Sequence, residues 1–258
     1  LTFEIDDFHE VRHSHLRSWV VELIEAGISP RSVNRKIACL KSFFKFLCAR
    51  QQMEKNPASR LKPLKTEKKL PSFVKENEMI LLLDQVKFPE NFFGARDKLI
   101  IELFYATGIR LAELIALKSA DINFFDGSIK VLGKRNKERI IPVHDSLVST
   151  IRNYQSLLQD MWGTIDHSYL LVTDKGEPLY PMMVYRTIKN YLGAVTTLSK
   201  KSPHVLRHTF ATHLLNKGAD LNAVKDLLGH TSLAATQVYT HNSLEKLKSV
   251  FDQAHPKA

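Results

Sequence analysis

Three prolines set the frame of this chain. Pro57, Pro63 and Pro71 each lack an amide donor and push the preceding residue out of the α region, so no helix can run through them. Helical pattern before Asn56 and mixed pattern after Ser72 must therefore fold as separate units joined by an extended, lysine-rich stretch. The implied organisation is a domain over residues 1–60, a linker over 61–72 and a larger domain over 73–258.

The first unit reads as all-helical. A helix is predicted over Asp6 to Ala26, stopped by Gly27, and a new start follows at Ser29-Pro30. Over Ser32 to Leu47 the apolar residues Val33, Ile37, Leu40, Phe44 and Leu47 fall on one stripe at helical spacing, while Arg31, Arg35, Lys41 and Lys45 project from the other side. Two helices make a thin core. Further helices are expected upstream of Leu1, in keeping with a chain that opens without methionine.

Charge is concentrated in the same region. Arg31 to Lys69 carries twelve lysines and arginines against only Glu54 and Glu67, a surplus of ten that equals the net charge of the whole 258-residue chain, +10. The rest is balanced. Such a block fits a polyanion footprint, and on charge alone it fits a solvated basic face equally well. No apolar run approaches the roughly 18 to 20 residues of a membrane span, and the opening Leu1-Thr2-Phe3-Glu4-Ile5-Asp6-Asp7 shows no leader pattern. Cys39 and Cys48 lie on opposite faces of one predicted helix, about 13 Å apart along its axis, so they cannot pair. A cytoplasmic protein is expected.

In the second unit, helices are predicted over Glu76 to Gln85, Ala95 to Ala106 and Leu111 to Leu117. A small sheet follows: Ile122 to Phe125, a turn at Asp126-Gly127, Ser128 to Leu132, a polar turn, and Arg139 to Val143. Helices resume over His144 to Met161, Pro181 to Val195, His204 to Asn216, Leu221 to Leu228, Ser232 to Tyr239 and Ser243 to Ala254. The fold class is mainly α with a small antiparallel β-sheet: a helical N-terminal unit and a larger α+β unit.

Four stretches stand out. Thr107-Gly108-Ile109-Arg110-Leu111-Ala112-Glu113 places an arginine at a helix start, and Gly133-Lys134-Arg135-Asn136-Lys137-Glu138-Arg139 is a hairpin's polar turn. Each is unremarkable alone. In Pro203-His204-Val205-Leu206-Arg207-His208, His204 and Arg207 are three apart and share a helical face. His204 and His208 have the spacing of a metal pair, but the glutamate of H-E-x-x-H and nearby cysteines are missing, so no metal is expected. The fourth runs Leu228-Gly229-His230-Thr231, then Gln237-Val238-Tyr239-Thr240-His241. A lone tyrosine there is ordinarily a packing residue.

Taken together and in this order, the four stretches resemble the tyrosine recombinase (phage integrase) family, and the ending from Tyr239 to Ala258 is similar to the Xer recombinases. The family pattern of arginine, lysine, H-x-x-R, histidine and tyrosine falls on Arg110, Lys134, His204 with Arg207, His230 and Tyr239. The resemblance implies a helical DNA-binding unit followed by a catalytic unit that cuts and rejoins DNA through a 3′-phosphotyrosyl link, without ATP, metal or other cofactor. Its setting would be chromosome dimer resolution or integration and excision of a mobile element. Partners implied are double-stranded DNA at a specific site and three further protomers, identical or related, in a tetramer. A topoisomerase IB-like nicking enzyme and a non-enzymatic DNA-binding module are the competing readings.

The residue types suit that chemistry. Arg110 and Arg207 can each fork two phosphate oxygens, and their permanent charge can replace a metal ion. The resemblance makes Lys134 the proton donor to the leaving 5′ oxygen, with His204 and His230 as hydrogen-bond donors or proton carriers. Glu113 is expected to orient a basic side chain beside the site. Arg31, Arg35, Lys41 and Lys45 are the expected DNA contacts of the first unit. Leu244, Leu247 and Phe251 form a stripe on a terminal helix expected to dock on a neighbouring protomer.

Overall fold

A computed structural model describes residues 5–67, 72–133, 136–163 and 168–229. The chain divides into two compact units, Leu1–Leu70 and Pro71–Ala258.

In the first unit, a single 3-10 turn at Phe8–Glu10 precedes helix α1, His13–Glu25, and helix α2, Pro30–Ala49. The helix predicted from Asp6 starts later because Asp7 caps the short turn, accepting from the His9 amide, and Val11 and Arg12 are extended. Ser29 accepts from the Ser32 amide and Pro30 sits in the first turn, so α2 begins where its side chains can satisfy it. Val33, Ile37, Phe44 and Leu47 of α2 are buried against Leu16 and Val20 of α1 and against Ala58 and Leu61; Leu40 is half-buried beside them. Each fully buried side chain of this kind contributes about 2 kcal/mol. Asn34 pins the chain beyond the helix, its Nδ2 donating to the Leu64 carbonyl at 2.9 Å and its Oδ1 accepting from the Leu64 amide at 2.7 Å. Cys39 and Cys48 are free thiols.

The second unit is built around helix α4, Phe92–Thr107, which is buried on almost every side. Helix α3, Glu76–Ile80, and a π-helical turn at Leu81–Gln85 precede it. Helix α5, Leu111–Ala116, follows after the Gly108 turn. The strands β1, Ile122–Asn123, β2, Ser128–Leu132, and β3, Glu138–Pro142, form one antiparallel sheet in the order β1-β2-β3. Helices α6, Asp145–Trp162, α7, Pro181–Val195, α8, Pro203–Asn216, and α9, Leu221–Leu228, complete the described residues. Helix α4 packs on α6, α7 and α8, and α9 packs on α8 and β3. The helices predicted over Ser232 to Tyr239 and Ser243 to Ala254 lie outside the described residues.

Strand β1 is shorter than its apolar pattern because the Asn123 side chain accepts from the amides of Phe125 and Asp126, folding the chain into a turn. Helix α8 also anchors the beginning of the unit. The Val74 amide donates to Thr209 Oγ1 (3.0 Å), and the Val74 carbonyl lies 3.0 Å from His213 Nε2. The carbonyl can only accept, so Nε2 carries the proton and Nδ1, 3.0 Å from the Tyr105 hydroxyl, accepts. Burial lowers the His213 pKa and keeps that neutral form.

Candidate active site

The site is assembled where three chain segments end. Helix α4 stops at Gly108, which has φ +57° and whose missing Cβ would overlap the Phe210 ring and lie 2.8 Å from Leu228 Cδ2. Only glycine allows α4, α8 and α9 to meet this closely. The chain then turns into Arg110, the residue that caps α5. Its amide donates to Glu113 Oε2 at 2.9 Å, so the glutamate satisfies one of the open donors of the helix start.

Arg110 Nη1 donates to Glu113 Oε1 at 2.7 Å and its Nη2 to the Gly229 carbonyl at 3.0 Å. Arg207, one turn after His204 on α8, donates from Nη1 to the Gly108 carbonyl and from Nη2 to the Leu228 carbonyl at 2.6 Å. A third arginine completes the group. Arg139 of β3 donates from Nε to the Leu227 carbonyl at 2.8 Å and from Nη1 and Nη2 to the two oxygens of Glu113, at 3.1 and 2.8 Å. Three consecutive carbonyls at the C-terminal end of α9, Leu227, Leu228 and Gly229, are thus held by Arg139, Arg207 and Arg110. A helix C-terminus carries open carbonyls and partial negative charge, which is why cations gather there.

Two guanidinium groups bond one carboxylate and a third lies near enough to feel its charge, so the cluster keeps a surplus of positive charge. Burial alone would raise the Glu113 pKa, but hydrogen bonds from Arg139 and Arg110, with the Arg139 charge, hold it at about 2. Burial and then the charges of Arg110 and Arg139 push Arg207 down to about 10. Arg207 stays protonated at neutral pH, but in a setting that would welcome an anion. Glu113 and Arg139 are 5 % exposed while Arg110 is 28 % exposed, so the cluster has an inner pair and an outward-facing cation.

Of the residues expected from sequence, the structure brings together Arg110, Arg207 and Glu113. His204 is exposed on the helix that carries Arg207. Lys134, His230 and Tyr239 lie outside the described residues, although their neighbours do not. Gly133 donates to the Lys137 carbonyl at 2.7 Å, and a Cβ on it would lie 3.6 Å from Glu113 Oε1. Gly229, the residue before His230, is bound to Arg110. In the first unit Arg31, Arg35 and Lys45 are exposed, and Lys41 is half-buried. No cluster of three or more potential metal ligands occurs among the described residues, and no helix among them is long and apolar enough to cross a membrane.

Sequence reasoning did not single out Arg139. The signal for it was strand alternation: Arg139, Ile141 and Val143 face one way, so an arginine occupies a core position and requires a buried carboxylate partner.

Family models match most of the chain. The family model described as "Phage integrase family" matches residues 72–246, and that described as "Phage integrase, N-terminal SAM-like domain" matches residues 1–51. The tyrosine recombinase XerC of Chlorobaculum tepidum is 38% identical over 268 residues, covering 96% of this chain and 80% of the relative. The tyrosine recombinase XerD of the same organism is 36% identical over 251 residues, covering 96% and 83%. Among solved structures, the XerH site-specific recombinase bound to palindromic difH substrate in a post-cleavage complex superposes with a TM-score of 0.75 at 21% identity, covering 95% of this chain and 73% of that one. The chain belongs to the phage integrase family of tyrosine recombinases.

Proposed function

We propose that this protein is a site-specific DNA recombinase in which Arg110 and Arg207 hold the scissile phosphate. The observation that carries the reading is the surplus positive charge of Arg110, Arg139 and Arg207 around Glu113, gathered at the chain end that leads into His230 and Tyr239. The described bonds engage two of the five donors on Arg110 and on Arg207. Their remaining donors suit the non-bridging oxygens of a phosphodiester, and the carbonyls and Glu113 fix each guanidinium before DNA arrives. Such preorganisation is the main lever for phosphoryl transfer.

The Tyr239 hydroxyl attacks phosphorus, forming the 3′-phosphotyrosyl bond as the P–O5′ bond breaks. The 5′ oxygen leaves with a proton from Lys134, and His230 or His204 takes the tyrosine proton. Attack by a second DNA 5′-hydroxyl reverses the step, so the phosphodiester energy is retained and no ATP is consumed. Exposed Arg31, Arg35 and Lys45, with Lys41, contact the DNA backbone from the first unit. Exchange between two duplexes requires four protomers, with the segment after Ser243 docking on a neighbour. A DNA substrate fits a cytoplasmic location. The named relatives favour recombination over a topoisomerase-like or purely binding role.

The test is a duplex carrying its target site and a nick beside the scissile phosphate, so that the cut fragment diffuses away. Wild-type protein should accumulate as a covalent adduct on denaturing gels.

A further inference from the structure

We propose that Arg139 is a positioning residue whose one guanidinium holds three parts of the active site in register: the strand that follows the Lys134 turn, the carboxylate beneath Arg110, and the chain entering His230 and Tyr239. The inference rests on the recombinase reading above.

The contacts diverge in a way a simple ion pair would not require. Nη1 and Nη2 grip both oxygens of Glu113, while Nε reaches the Leu227 carbonyl on a different element. Glu113 in turn binds the Arg110 amide and guanidinium. Arg139 itself belongs to β3, paired with Val131 of β2, and Lys134 lies between those two strands in sequence. Glycine guards the other side: a Cβ on Gly229 would lie 3.3 Å from Arg139 Cδ and Nη1, and Gly229 has φ +62°. The arginine thus fills the gap between Glu113 and the end of α9.

Lysine keeps the charge but has a single nitrogen, so it cannot serve Glu113 and the Leu227 carbonyl with the same planar spread. A buried pair kept only for stability is often replaceable without loss. A positioning role makes a different prediction: correct charge with wrong geometry should slow the chemistry and leave DNA affinity alone.

The experiment uses the full chain and the nicked duplex, with Arg139→Lys, Arg139→Gln and Gly229→Ala beside wild type. Cleavage is timed at saturating protein, DNA affinity is measured separately, and thermal melting is recorded. Arg139→Lys is expected to cut about 100-fold more slowly, the scale of a small misplacement of reacting groups, with unchanged affinity. Gly229→Ala crowds Arg139 without removing it and should slow cleavage in the same sense. In Arg139→Gln the Glu113 carboxyl loses its strongest partner and titrates upward, so cleavage should fall off on the acid side at a higher pH than in wild type. Arg139→Lys cutting at the wild-type rate, or a loss of rate matched by lost affinity or by partial unfolding at the assay temperature, would overturn the role. Wild type that forms no adduct would overturn the recombinase reading, and the role with it. Wild type that reacts while all three variants match it would overturn the role alone.

Discussion

Arg139 meets Glu113 through two hydrogen bonds of 3.1 and 2.8 Å, with both side chains 5 % exposed. The same carboxylate binds Arg110, so one buried glutamate orders two cations that would otherwise repel each other.

Glu113→Gln should therefore destabilise the second unit. Removing one partner of a buried pair costs about 3 kcal/mol or more, and urea unfolding at pH 7 measures it. The pH dependence has a defined sign. The folded carboxyl, at about 2, lies below its ordinary 4.5, so its contribution is complete above pH 4.5 and is lost as pH falls toward 2. The gap between wild type and variant should narrow over that window; a constant gap would contradict the pairing.

DNA binding should weaken steeply with salt, because the basic block of the first unit displaces counterions. Neutralising Arg31, Arg35 or Lys45 should each lower the slope of log affinity against log salt by about 1. Lys41 is half-buried, so its substitution should act partly through folding. Fluorescence anisotropy across a salt series checks this; unchanged slopes would remove these residues from the DNA face.

Lys134→Ala should slow cleavage of ordinary DNA. It should recover on a duplex whose scissile 5′ oxygen is sulfur, a leaving group that needs no proton. Absence of recovery would assign the lysine to holding the phosphate.

Much of this fold could be read residue by residue. Asp126-Gly127 fixed the start of β2, and Pro181 fixed the start of α7, because each imposes its own backbone angles. The errors arose where side chains compete with the regular pattern, as with Asp7 at the first turn and Asn123 at the end of β1. Arg110, His204 and Arg207 were singled out through the family resemblance, and the structure brings Arg110 and Arg207 to neighbouring carbonyls at the end of α9. Arg139 was not, because its partners lie 26 and 88 residues away in sequence, at Glu113 and Leu227. The use of three α9 carbonyls was invisible too, since backbone acceptors leave no mark in a sequence.

Deleting the chain after His241 should abolish assembly of four protomers on DNA while leaving single-site binding. Light scattering of the DNA complex measures the mass. A tetramer that survives would mean the terminal segment folds onto its own protomer.

The most direct test concerns Tyr239. A phenol titrates near 10, so it needs help from neighbouring cations to attack at neutral pH, and the proposed mechanism draws that help from the arginine cluster. Tyr239→Phe removes only the hydroxyl, so folding and DNA affinity should persist. Incubated with the nicked duplex, wild type should yield an adduct that survives denaturation, with the label on the peptide containing Tyr239, and the Phe variant should yield none. An adduct in the Phe variant, or a label on any other residue, would contradict the account.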